Sequence, residues 1–131
     1  MKTELTIEQS QRLIELGVDA KLTSKSHHKY TQTGKGVGCI VTVHSNPIFT
    51  LTDLLSILPK NIDGNVIEII SAQVDVDKED IKDGWLTYYS DREGIVTYGR
   101  DSIFQADELI DSLYLLLCWV IENEYINLKE K

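Results

Sequence analysis

The sequence predicts an α+β domain: an antiparallel meander of three or four strands, with a long C-terminal helix and a short central helix packed on one face. Three observations lead there. Two short segments open with helix-capping signals and continue with leucine or isoleucine at helical spacing. The middle of the chain carries successive β-branched and aromatic runs, and their links are too short for the crossovers that parallel strands need. The C-terminal part repeats leucine along one side of a single long helix.

The first helix is predicted over 7–16. Thr6-Ile7-Glu8-Gln9 is a capping box, Ile7, Leu13, Ile14 and Leu16 give an apolar side, and Gly17 suits the left-handed position that ends a helix. From Val18 to Gly38 the signals fade, and about 20–38 reads as a flexible cationic segment in which short β pieces can hide. Residues 39–43, Cys-Ile-Val-Thr-Val, read as a strand closed by Ser45-Asn46-Pro47.

The central helix, 51–58, is the best-specified element. Thr50 is its N-cap, Asp53 complements the dipole in the first turn, Phe49 and Leu54 hold the two positions of a hydrophobic staple, and Pro59 stops it. After a turn at 61–64, a strand is predicted over 66–74, then a polar acidic turn over 75–84. Strands at 85–89 and 95–98 follow, joined by a hairpin loop at 90–94. The last helix, 106–125, places Leu109, Leu113, Leu116, Leu117 and Val120 in one arc, where Ile67 and Ile69 are expected to pack.

At 131 residues the chain fits one domain, 1–131, and 42% hydrophobic residues are too many for a disordered chain. The longest apolar run, Leu113 to Ile121, is nine residues, far below the ~20 of a membrane span. The first residues lack the apolar core of a secretory signal, so a cytoplasmic protein with reduced Cys39 and Cys118 is expected. The net charge of −8 is unevenly spread: Ala20 to Thr52 holds four lysines and three histidines but no acid, leaving the rest of the chain at −12.

No motif guarantees catalysis, and no cofactor or metal is expected. Gly34-Lys35-Gly36 lacks the earlier glycine and the following Ser or Thr of a phosphate loop. Asp75, Asp77 and Glu79 alternate like calcium ligands, but Asp80 stands where that loop needs Gly and Leu86 where it needs Glu. His27, His28, Cys39 and His44 match no zinc spacing. Cys118 has no basic neighbour to activate it, so an inert thiol is expected.

Two surfaces stand out. Leu115 and Trp119, four residues apart, fall opposite the core arc in the sector of Glu108, Asp111, Ser112 and Glu122. That pair reads as a candidate interface for a protein partner or a second copy of the chain, unless the N-terminal segment or the first helix packs there. Lys21, Lys25, Lys29 and Lys35, interleaved with Tyr30, form the alternative, a strip that could contact nucleic-acid phosphates. The acidic remainder would repel the same polyanion.

The helix-to-helix stretches Phe49–Lys60, Glu108–Tyr114 and Cys118–Asn123, with the Thr6–Gly17 helix, resemble a group of small proteins from bacterial prophage and mobile-element regions. The likeness covers most of the chain except Val18 to Ser45. It carries no assigned activity and no catalytic residues, and it implies an accessory role in such an element. The expectation is a non-enzymatic interaction or accessory protein, with nucleic-acid binding as the competing reading.

Overall fold

The computed structural model of the chain describes residues 2–34, 36–38, 40–77 and 80–126. In chain order its elements are α1 (Ile7–Glu15), β1 (Ser26–Thr33), β2 (Ile40–Pro47), α2 (Leu51–Ile57), β3 (Asn61–Ile62), β4 (Asn65–Asp77), β5 (Asp80–Ser90), β6 (Phe104–Ala106) and α3 (Leu109–Glu122). The four strands β3-β4-β5-β6 lie in sequence order and pair antiparallel throughout. This is the α+β meander that the sequence predicts, with α3 packed on it.

Both predicted caps form. The Thr6 hydroxyl accepts from the Gln9 amide at 3.1 Å, and the Gln9 side chain accepts from the Thr6 amide at 3.0 Å. At α2 the Thr50 hydroxyl accepts from the Asp53 amide at 3.3 Å, and the Asp53 carboxylate accepts from the Thr50 amide at 2.9 Å. Each box satisfies two amides that a helix start leaves without intrahelical partners. Phe49 and Leu54 are both fully buried, as a staple requires. The N-terminal segment runs beside α2's entry, with the Leu5 amide donating to Phe49 and the Leu51 amide to Thr3, each at 2.9 Å.

The meander starts at a two-residue hairpin. Ile62 pairs with Asn65 across Asp63 and Gly64, which have φ of 51° and 87°. Positive φ at both central residues is the type I′ geometry that an Asp-Gly pair favours. The core lies between the sheet and the helices, where Leu13, Phe49, Leu54, Tyr89, Leu113 and Leu117 are buried. The Tyr89 hydroxyl reaches across it to donate to the Pro59 carbonyl at 2.6 Å.

Four expectations are corrected. Residues 95–98 are not a strand. The Asp91 carboxylate accepts from the Glu93 and Ile95 amides, each at 2.9 Å, which folds the segment into a turn. Phe104–Ala106 pairs with β5 instead. The 75–84 stretch is not a turn, because β4 runs on to Asp77 and β5 begins at Asp80. The last helix is shorter than 106–125, since β6 claims Ala106 and the chain leaves helical geometry at Asn123. Ile69 is exposed, whereas Ile67 packs against the core. Beyond Val66, β4 has β5 on one side and no described strand on the other, and α3 lies over β5 and β6.

Candidate interaction surfaces

The acid-free stretch folds into a feature that the sequence only half reveals. β1 and β2 form a separate antiparallel ribbon, with Ser26 opposite Pro47 and Thr33 opposite Ile40. Its root is fixed: the Ile48 amide donates to Lys25 at 3.0 Å, the Thr23 hydroxyl donates to Ile48 at 2.7 Å, and Ile48 and Phe49 are buried. Glu4 also ties the root down, pairing with Lys25 and, at 3.3 Å, with His27. Hydrogen bonds from Lys25 first, and then from His27, hold the Glu4 carboxyl below the usual carboxylate range. Beyond the root, Ile40, Val41 and Val43 are 64%, 56% and 52% exposed. Val41 and Val43 alternate onto one face of the ribbon, so the exposure forms a strip rather than scattered contacts.

The strip was legible in part. The run at 39–43 reads as a strand, but its pairing with Ser26–Thr33 and the exposure of Ile40, Val41 and Val43 are not legible in it. Of the four lysines, Lys21 is exposed at the N-terminal approach and Lys25 is paired with Glu4. Lys29 holds the register position opposite His44, and Lys35 lies outside the described residues, as do Cys39 and Glu79.

A second open surface lies on the sheet. Strand alternation puts Ile67, Thr87 and Tyr89 on the helix side, and Val66, Glu68, Ile70, Leu86 and Tyr88 on the other. Val66 and Ile70 are 40% and 39% exposed, and the residues packed on the core include Ile67 and Phe104 but none of this outer set. Around Ile67 the sheet thus has helices on one face and an apolar strip containing Glu68 on the other, whereas Ile69, farther along the helix side, is exposed.

The Leu115–Trp119 pair does not form one open patch. Leu115 is 40% exposed, but Trp119 leans into a ring cluster, 5.3 Å from Tyr98, 5.1 Å from Tyr125 and 6.4 Å from Phe104. The acids around the pair are taken by the N-terminal region. Lys2 pairs with Asp111 at 2.7 Å, the Gln9 amide group donates to it at 3.0 Å, and Arg12 lies 3.6 Å from Glu122. The Glu108 carboxylate accepts from the Lys2 amide at 3.1 Å. Ser112, placed by the wheel on the same outer sector, is fully buried because Thr87 and Phe104 partner its hydroxyl.

Among the described residues polar chemistry does not converge elsewhere. The histidines are drawn to separate partners, His27 to Glu4 and His28 to the Ser45 hydroxyl at 2.8 Å. Among the described residues no group of three metal-ligating side chains gathers. An open cleft of about 400 Å³ at the ribbon root is lined by Lys2, Glu4, Leu5, Thr6, Ile7, Glu8, His27 and Ile48. Its acid Glu4 is already engaged by Lys25 and His27 at the ribbon root. Cys118 is a free cysteine, half-buried; burial pushes its thiol pKa up and disfavours the nucleophilic thiolate. Among the described residues no helix is long and apolar enough to cross a membrane. Comparison of the chain with known protein families, with curated proteins and with solved structures finds no match.

Proposed function

We propose that the chain is a non-enzymatic interaction protein, an accessory of a prophage or mobile element that works in the cytoplasm through its protein-binding surfaces. The observation that carries this reading is the β1–β2 ribbon, whose Ile40, Val41 and Val43 side chains stand open to solvent. A contiguous apolar strip on a projecting element marks an interaction surface, because water leaves it favourably when a partner covers it. The uncovered outer face of the sheet adds a second such surface. The prophage setting rests on the resemblance of the helical segments alone.

A photo-crosslinking side chain placed at position 43 tests the reading in extract of the native host. Protein adducts at that position are expected. Adducts confined to nucleic acid, or none at all, would overturn it.

A second reading has one observation in its favour. A two-stranded ribbon fits the DNA major groove, and this one belongs to a segment of four lysines and no acid. Binding of that kind weakens steeply with salt, since each phosphate contact releases a counterion. Absence of any gel retardation at low salt would remove this second reading.

A further inference from the structure

We propose that the β1–β2 ribbon of one chain docks on the outer sheet face of a second copy, and that reciprocal exchange of the two ribbons builds a two-fold dimer. The inference rests on the interaction reading and adds the identity of the partner.

The apolar patterns correspond first. The ribbon offers Val41 and Val43 on one face, and the sheet offers Val66 and Ile70, with Leu86 opposite Ile70 and Tyr88 opposite the intervening Glu68. Val41 and Val43 on the ribbon, and Val66 and Ile70 on the sheet, are open in the single chain, and each pair is built on a paired strand that needs no refolding to present it. Both surfaces belong to every copy, so two chains can satisfy two contacts at once, as an isologous interface requires.

Charge then selects the pairing. Ala20 to Thr52 is the longest acid-free stretch of the chain and holds four lysines. The sheet strip carries Glu68 between Val66 and Ile70, and the same two strands continue into residues 75–77 and 80–83, where the sequence has four acids and one lysine. Two copies of a chain at −8 repel each other, and two sheet faces brought together would add to that repulsion. Ribbon on sheet face places the cationic segment of each copy against the acidic part of the other. Ribbon on ribbon would pair like with like.

Light scattering on the purified full chain, at low and high salt, reads the assembly directly. A dimer is expected at low salt, with weaker association as salt rises. Val43→Asp and Ile70→Asp each put an acid into the contact and leave the core untouched. Each should weaken association by at least about tenfold with an unchanged circular dichroism spectrum. The distinguishing result comes from mixing these two variants: an intact ribbon on one then meets an intact face on the other, and association returns. Val43→Thr and Ile70→Thr report the same contact should an aspartate variant fail to fold. A monomeric unmodified chain, a dimer insensitive to both positions, or two variants that stay apart when mixed would overturn the proposal. A monomer that still yields protein adducts at position 43 in extract would remove the exchange dimer and leave the interaction reading standing.

Discussion

The Ser112 hydroxyl lies 2.8 Å from the Thr87 hydroxyl, in the fully buried seam between α3 and β5. Ser112 donates to the Phe104 carbonyl at 2.8 Å, so its hydroxyl accepts from Thr87, whose proton is shared with the Ser112 carbonyl at 3.1 Å. Three elements are thereby fastened at one polar point within an apolar core. A buried hydroxyl left without its partner keeps its desolvation cost, so Ser112→Ala should destabilise the chain by about 1–2 kcal/mol. The double change Ser112→Ala with Thr87→Val should cost less than the two single changes added together. Urea denaturation of the three variants checks this.

Leu115 and Trp119 should separate cleanly. Trp119 packs against Tyr98 and Tyr125, whereas Leu115 is open to solvent. Trp119→Ala should cost about 2–3 kcal/mol, below the range for fully buried aromatics because the ring is only half-buried. Leu115→Glu should stay within about 0.5 kcal/mol of the unmodified chain. Equal losses at the two positions in thermal unfolding would contradict this placement.

Ser90 carries the opposite expectation to Ser112. Among the described residues its buried hydroxyl has no hydrogen-bond partner. Removing an unsatisfied buried hydroxyl removes its desolvation cost, so Ser90→Ala should be neutral or stabilising by up to about 1 kcal/mol. A clear loss of stability in the same denaturation assay would show that the hydroxyl is satisfied.

Where the chain's own residues decide the local structure, the sequence reading succeeds. Thr6 with Gln9, and Thr50 with Asp53, close their caps within three residues, so no tertiary contact is needed to predict them. The reading fails where a distant partner decides. Ile95-Val96-Thr97-Tyr98 has strand composition, yet Asp91 captures two of the local amides and Tyr98 is drawn to Trp119. Ser112 looks like a surface residue until Thr87 and Phe104 are brought to it. β1 escapes notice because a strand exposed on both faces shows no alternation of apolar and polar residues. The strand at 39–43 is legible, but without β1 in view the sequence does not show that Val41 and Val43 stand on an open ribbon.

The tie at the ribbon root should respond to acid. Glu4 has its carboxyl held below the ordinary value of 4.5 by Lys25 and His27. A depressed folded value means that the contribution is fully present above pH 4.5 and is lost as pH falls through the lower folded value. Amide exchange at Lys25 and Ile48 should therefore accelerate below that point. In Glu4→Gln it should already be faster at neutral pH and lose the acid-dependent step.

Protection against hydrogen exchange should fall along the ribbon from root to tip. The ladder begins at Ser26 opposite Pro47, next to the buried Ile48 and Phe49, and ends at Thr33 opposite Ile40. Only the root gains from the core. A two-stranded ribbon without a covered face is marginal in water, because few buried apolar contacts oppose the entropy of its open form. Amides near the tip should therefore exchange through local opening, at rates insensitive to low concentrations of denaturant. Those of β5 around Thr87 and Tyr89, both fully buried, should exchange only with global unfolding and follow the denaturant steeply. These rates belong to the dilute monomer. At higher protein concentration the ribbon amides should slow markedly while the β5 amides change little, because a partner that covers Val41 and Val43 stabilises the closed ribbon by mass action. Ribbon exchange as slow as that of β5 in the dilute chain would mean that the ribbon is covered within a single copy.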